Sequence, residues 1–264
     1  MSADSGAAMK SLSLHALAGL PEITEGADIP ALLADALVRA KLSLQAGDVL
    51  VLAQKIVSKA EGRRVSLASV TPSPRALELA AACHKDARLV QLILDESREV
   101  LRVKPGIIIV EHKLGFVMAN AGIDQSNVPS AAGSDESVLL LPRDPDASAH
   151  TLREALRQAT GVAIGVLIID SFGRAWRNGV TGASIGVAGL PALIDMRGRQ
   201  KDREGRTLRV TQVAAADELA AAASLIMGQA DEGTPVVLAR GFPYALRESK
   251  VNELLRPIHE DLFR

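Results

Sequence analysis

Two stretches of this sequence carry hard-oxygen side chains at the point where an apolar run gives way to a turn of small residues. In ANAGIDQSN (Ala119–Asn127), Asp124, Ser126 and Asn127 follow one another within four residues. A carboxylate presented there suits Mg²⁺ or Mn²⁺, which prefer oxygen ligands. An Asx turn, with Asp124 capping its own backbone, accounts for that segment equally well on its own. In VLIIDSFGRAWRNG (Val166–Gly179), an apolar run delivers Asp170 and Ser171, then Gly173 and Gly179 flank Arg174 and Arg177. A carboxylate and hydroxyl beside a glycine/arginine turn fit a metal–phosphate complex, with the guanidinium groups pairing with anionic oxygens. An ordinary strand end with solvated arginines reads as well.

Two further segments add charge. In AQKIVSKAEGR (Ala53–Arg63), Lys55 and Lys59 stand four apart and would share one face of a helix, where both could meet an anion. A solvated basic helix start is the commoner meaning of such a pair. In LIMGQADEG (Leu225–Gly233), a helix expected to end near Gly228 runs into Gln229, Asp231 and Glu232. Helix C-termini favour cations, so this loop could hold a metal, and a plain capping turn explains it too. The familiar glycine-rich phosphate loop and the His-Glu-x-x-His zinc motif are both absent, and the five histidines are scattered. GASIG (Gly182–Gly186) matches the serine-hydrolase elbow, but RAWRNGVT before it is not the apolar strand an elbow needs. Gly189 and Pro191 spoil the helix that should follow, so the match is read as chance.

The elements that must position these residues follow from periodicity. Ile29–Ala40 has helical spacing behind Asp28, a residue suited to capping. Asp48–Val57 reads as a buried strand turning polar at its end. Helices are expected over Pro74–Cys83, Leu89–Leu94, Ala149–Ala159 (closed by Gly161) and Ala214–Met227. Strands are expected over Gly106–Val110, Phe116–Ala121 across a turn near Lys113–Gly115, Leu139–Leu141, Val162–Ile169 and Pro235–Ala239. Pro129–Ser137 reads as a loop, Asp195–Thr207 as a hairpin tip, and residues 1–10 as a loose tail ahead of one domain, 11–264, which has room for two intimate lobes. Strands and helices mix without regular βαβ alternation, which predicts an α+β fold with mixed or antiparallel sheets and flanking helices.

Composition bounds the function. The chain has 264 residues, 48% apolar and 23% charged, enough to bury a core. A formal net charge of −1 and 2% aromatic residues argue against nucleic acid as partner. No apolar run reaches the roughly 20 residues of a membrane span. The N-terminus has no signal-peptide pattern, and the single Cys83 suits a reducing compartment, so a cytoplasmic location is expected.

Taken together these motifs resemble the coenzyme F420-0:L-glutamate ligase family. The likeness runs from GLPEITEGADI (Gly19–Ile29) through QKIVSKAEG, NAGIDQSNV, DPDAS, IIDSFGRAWRNGVTGASIGVAG and MGQADEG to the ARG near the C-terminus, in one order. The resemblance implies a GTP-dependent ligase on the family's own two-lobed α+β fold. It would activate a carboxylate of F420-0 as an acyl phosphate for attack by the amine of L-glutamate, and further rounds would add γ-linked glutamates. Two divalent cations, Mg²⁺ or Mn²⁺, and K⁺ would assist, in a homodimer. By motif, Asp124 and Asp170 would hold one metal, and Ser171 and Gln229 would help hold a second. The GTP site would be lined by Leu20, Pro21, Glu22 and Ile23, by Gln54, Lys55, Lys59 and Asn127, and by Met227, Gly228, Gln229, Ala230, Asp231, Glu232, Gly233 and Thr234. Arg174 and Arg177 are additional candidates for phosphate or substrate contacts. Many relatives have threonine where Ser171 stands, and some have glutamate in place of Gln229, one negative charge more. The rival readings are a related ligase on another carboxylic acid, a GTP-binding module without chemistry, and the hydrolase suggested by GASIG.

Overall fold

The computed structural model describes residues 10–125 and 136–261. The chain begins with a short strand, β1 (Ser13–Ala16), and a helix, α1 (Ile29–Arg39). Helix α1 starts where its cap predicts: Asp28 accepts from the Ala31 amide at 3.1 Å, and Pro30 fills a first-turn position that needs no N–H. Strand β2 (Val49–Ala53) follows, and its first four side chains are fully buried. Each contributes about 1.5–3 kcal/mol by leaving water. The strand stops at Ala53, and the chain turns directly into helix α2 (Gln54–Ala60). The single strand expected over Asp48–Val57 is thus a strand plus a helical turn. Past Ala53 the buried positions are Gln54, Ile56, Val57 and Ser58, a set that no longer alternates as a half-buried strand would.

The chain between α2 and the next strand of the main sheet builds a second, smaller core. It comprises β3 (Arg64–Ser66), α3 (Pro74–Cys83), α4 (Ala87–Asp95), β4 (Ser97–Lys104), β5 (Ile107–His112), β6 (Val117–Ala119) and β7 (Ser137–Leu139). Strands β4, β5 and β6 form an antiparallel sheet, and β3 pairs with β7. The turn expected near Lys113–Gly115 joins β5 to β6, with the Gly115 amide donating to His112 O at 2.8 Å. Strand β4 had no signal in the sequence, because its charged SREVLRVK run is only half-buried. The expected strand at Leu139–Leu141 lies slightly earlier.

Helix α5 (Pro145–Thr160) begins four residues before the expected Ala149, since Asp144 caps the Ala147 amide at 3.0 Å and Pro145 opens the helix. It closes at Gly161, as expected, with φ 71°. Next come β8 (Gly165–Arg174), β9 (Arg177–Ala188), the short pair β10 (Ile194–Asp195) and β11 (Gln212–Val213), helix α6 (Ala215–Met227) and β12 (Val236–Arg240). The Gly/Arg-rich segment expected to be a turn is instead mostly strand. β8 continues past Asp170 to Arg174 and hairpins into β9 through Ala175 and Trp176, because the antiparallel ladder pairs Asp170 with Ala183 and Ser171 with Gly182. Between β10 and β11, the Lys201–Thr207 bridge makes the expected hairpin.

The main sheet runs β1-β12-β2-β8-β9, antiparallel throughout except for the parallel pair β2–β8. Asp48, 1% exposed, is held by Arg240 through two contacts at 2.7 and 2.9 Å and anchors the start of β2. Buried side chains fall into one cluster around the main sheet and a second around α3, α4 and β5. The result is an α+β fold with mixed and antiparallel sheets, as the element pattern predicts. No helix among the described residues is long and apolar enough to cross a membrane. The expected tail (nearly all of it) and most of the Pro129–Ser137 loop lie outside the described residues.

Candidate active site

Parallel pairing of β2 with β8 sets the site. Ala53 is in register with Ile169, so helix α2 starts where β2 ends, beside Asp170 on the β8 strand that runs on past it. Lys55 and Lys59 therefore do lie on a helix, and that helix starts beside Asp170. Helix α6 supplies the opposite wall. It packs closely on β9 because Gly182 has no Cβ: one placed there would stand 2.4 Å from Ala220 O and 2.8 Å from the Ser224 side chain. The Gly182 amide instead donates to Ser224 Oγ at 3.2 Å. That contact fixes the end of α6 so that Gln229 accepts from the Ser171 hydroxyl at 2.8 Å.

Asp124 arrives from the second core. Just before it, Asn120 and Ala121 hold left-handed backbone (φ 52° and 55°), a conformation costing on the order of 1 kcal/mol per residue and frequent where a site is built. Reciprocal backbone hydrogen bonds to Leu139 at 2.9 and 2.8 Å then pin Asp124. Its carboxylate meets the Lys55 ammonium at 2.7 Å. Burial, and to a lesser degree the negative charge of Asp124, push the Asp170 carboxyl up from 3.8 to about 6, against the opposing pull of the Ser171 amide and Lys55. Lys59 pairs with Glu22 at 2.6 Å across the rim.

Of these groups, Lys55, Lys59, Glu22 and Asp170 line a cleft of about 290 Å³, while Asp124 is not part of its wall and meets it through Lys55. Its wall includes Leu20 to Ile23, Gln54, Lys55, Lys59, Asp170, Ser171, Met227 to Ala230 and Glu232 to Thr234. Segments far apart in sequence thus converge on one cleft. Asp231 lies between wall residues but is not part of the wall. Asn127 falls outside the described residues. Arg174 and Arg177 are exposed on the arm beyond Ser171, off the cleft wall, with Arg174 donating to Asn178 O at 3.3 Å. Glu232 folds back on its own loop, where the Ala230 amide, donating at 2.8 Å, holds its carboxyl below the usual range.

Sequence reasoning missed Ser224, which lines the cleft and ties α6 to β9; a lone serine in an alanine-rich helix is the signal that could have found it. It also missed the pairing of Glu22 with Lys59. Gln54 is buried, with its Oε1 accepting from Ser58 at 2.8 Å and its Nε2 without a partner among the described residues. Ser184 of GASIG sits inside β9, only 4% exposed, donating to Asp217 at 2.5 Å. Among the described residues no histidine is hydrogen-bonded to either side chain, so the Ser–His pair of a hydrolase elbow is not formed there.

Among the described residues no three His, Cys, Asp or Glu side chains gather as a metal cluster. What the site offers is two carboxylates with a hydroxyl and an amide oxygen nearby. All are hard donors of the kind Mg²⁺ and Mn²⁺ take, and Lys55 already stands against them as a cation. The donor set therefore fits a divalent ion.

A profile of the family described as F420-0:Gamma-glutamyl ligase matches residues 19–241. The chain belongs to that family. It is 47% identical over 255 residues to the coenzyme F420:L-glutamate ligase of Methanothermobacter thermautotrophicus, covering 96% of this chain and 99% of that one. The protein of the same name from Methanocaldococcus jannaschii is 44% identical, covering 85% and 88%. That from Haloarcula marismortui is 42% identical, covering 96% of both chains.

Proposed function

We propose that this family member is a cytoplasmic, GTP-dependent ligase that joins the amine of L-glutamate to a carboxylate of coenzyme F420-0. The observation that carries the reading is the convergence of Lys55, Asp124 and Asp170, from three separate stretches, at the edge of a cleft walled by α2, the end of α6 and Leu20–Ile23. A carboxylate is a poor electrophile, because its oxygen leaves badly. In the proposed reaction a substrate carboxylate oxygen attacks the γ-phosphorus, giving an acyl phosphate and GDP. The glutamate amine then attacks the acyl carbon, the C–O bond to phosphate breaks, and the amine loses a proton.

Spread negative charge develops on the transferring phosphoryl, so catalysis is positioning and charge stabilisation. Lys55 and Lys59 would meet the phosphates from one helix face. Asp124 and Asp170 would hold one Mg²⁺ or Mn²⁺, and Ser171 with Gln229 would help hold a second, with K⁺ assisting. The divalent ions supply charge neutralisation on the phosphate oxygens. Arg174 and Arg177, on the exposed arm, would contact parts of the substrate outside the nucleotide cleft. Asn127 and the Met227–Thr234 loop would complete the GTP site, and the active form would be a homodimer.

The test is purified protein with GTP, Mn²⁺, L-glutamate and F420-0, followed by mass spectrometry. Mass increments of whole glutamyl residues, with GDP released in proportion, are expected. No adduct with either Mg²⁺ or Mn²⁺ would overturn the reading, and an adduct formed without any GTP consumption would overturn the acyl-phosphate route.

A further inference from the structure

We propose that Lys55 is the displaceable counter-ion of the Asp124–Asp170 pair: a divalent cation takes Asp124 from its ammonium, and the released ammonium turns to the nucleotide phosphates. The inference rests on the metal and nucleotide reading above and states how the two ligands are linked.

The geometry limits which group can move. Asp124 is held at its backbone by two hydrogen bonds to Leu139, so its carboxylate has little travel. Asp170 is fixed in the β8–β9 ladder opposite Ala183. Lys55 carries its charge on a flexible four-carbon stem from the first turn of α2, with its side chain 30% exposed. At 2.7 Å it is the cation that Asp124 now faces, and its charge also reaches Asp170. A divalent ion and an ammonium cannot both sit against one carboxylate without strong repulsion at such range. Cation binding and release of Lys55 are therefore a single exchange. Because Lys55 lines the nucleotide cleft, the released ammonium finds the anionic ligand next to it. Lys59 has a different arrangement: its ammonium is paired with Glu22 at the exposed rim, so it is not the counter-ion that is exchanged.

Two results follow. Lys55 opposes divalent binding in the absence of nucleotide, and divalent cation and nucleotide reinforce one another through it. Linkage requires that reinforcement to be equal in both directions.

The experiment is Mn²⁺ titration of the full chain, with free Mn²⁺ read by electron paramagnetic resonance, with and without GDP. Lys55→Met should bind Mn²⁺ about tenfold more tightly than the unsubstituted protein without nucleotide. After subtraction of the Mn²⁺ held by GDP alone in a protein-free control, GDP should tighten Mn²⁺ binding more in the unsubstituted protein than in Lys55→Met, where only the direct contact between ion and phosphate is left. Lys55→Arg, which keeps the charge, and Lys59→Met should bind Mn²⁺ without GDP as the unsubstituted protein does. Thermal unfolding reports folding independently, and Mn²⁺ should raise the Tm of Lys55→Met more than that of the unsubstituted protein; Lys55→Gln serves if the methionine variant does not fold. Equal or weaker Mn²⁺ binding after loss of the charge overturns the exchange while the metal reading stands. An unsubstituted protein that binds no Mn²⁺, with or without GDP, overturns the metal reading and the exchange with it.

Discussion

Asp170→Asn should make the protein more stable and inactive at the same time. In the fold, burial and the neighbouring Asp124 charge raise the Asp170 carboxyl from 3.8 to about 6. Below pH 3.8 the group is protonated whether the chain is folded or not, and its contribution is intact. Between 3.8 and 6 the unfolded chain ionises while the fold still holds the proton, so stability falls as pH rises. Above about 6 the loss is complete. A difference of roughly two pH units corresponds to about 3 kcal/mol. Asp170 is not wholly closed off from solvent at the cleft, and screening reduces the expected effect to about 1–2 kcal/mol. Asparagine keeps the shape and does not titrate. Thermal unfolding in chelator should therefore show Asp170→Asn melting about 2–6 °C higher than the unsubstituted protein near pH 7. The gain should shrink steadily towards pH 4. The same variant should form no glutamyl adduct, because the site has lost one of its two carboxylates. A variant less stable at pH 7, or one whose gain does not depend on pH, would refute the claim that this carboxylate is held at the expense of the fold.

Asp48→Ala should cost about 3 kcal/mol in urea unfolding, because it leaves the Arg240 guanidinium without its two contacts and the Gln45 amide without its acceptor; a change under about 0.5 kcal/mol would show that the pair is solvated in practice. Ser184→Ala should cost about 1 kcal/mol through the lost hydrogen bond to Asp217, and leave ligase turnover intact. Loss of turnover in folded Ser184→Ala would reopen a chemical role for GASIG.

Much of the site was legible because its residues sit where apolar runs end, and such ends survive any choice of topology. Asp170 and Ser171, the lysine pair and the loop after α6 each stood out in this way. What could not be read was who meets whom. Nothing local says that β2 and β8 pair in parallel, which is what brings Lys55 beside Asp170. Nothing local says that Gly182 exists to admit Ala220, which sets the distance from Ser171 to Gln229. The β8–β9 hairpin was misread as a turn because its glycines and arginines are poor strand formers in isolation; the ladder with β8 overrides that preference. Helix α5 starts four residues ahead of the expected Ala149, because at a first-turn position Pro145 has no bond to break. Strand β4 carries charge along a half-buried face and gave no periodic signal at all.

The connection from β2 to β8 has a modular consequence. Residues 61–144 leave the main sheet after α2 and return just before α5, carrying the whole smaller core with them. Of the described polar groups gathered around the cleft, that excursion contributes Asp124, while Glu22, the two lysines, Asp170, Ser171 and Gln229 belong to the rest of the chain. One carboxylate is thus housed on an appended piece of architecture. Its reach to Lys55 depends on how that piece seats against its host, so substitutions at the seam could retune this partnership without touching any residue that faces the ligand.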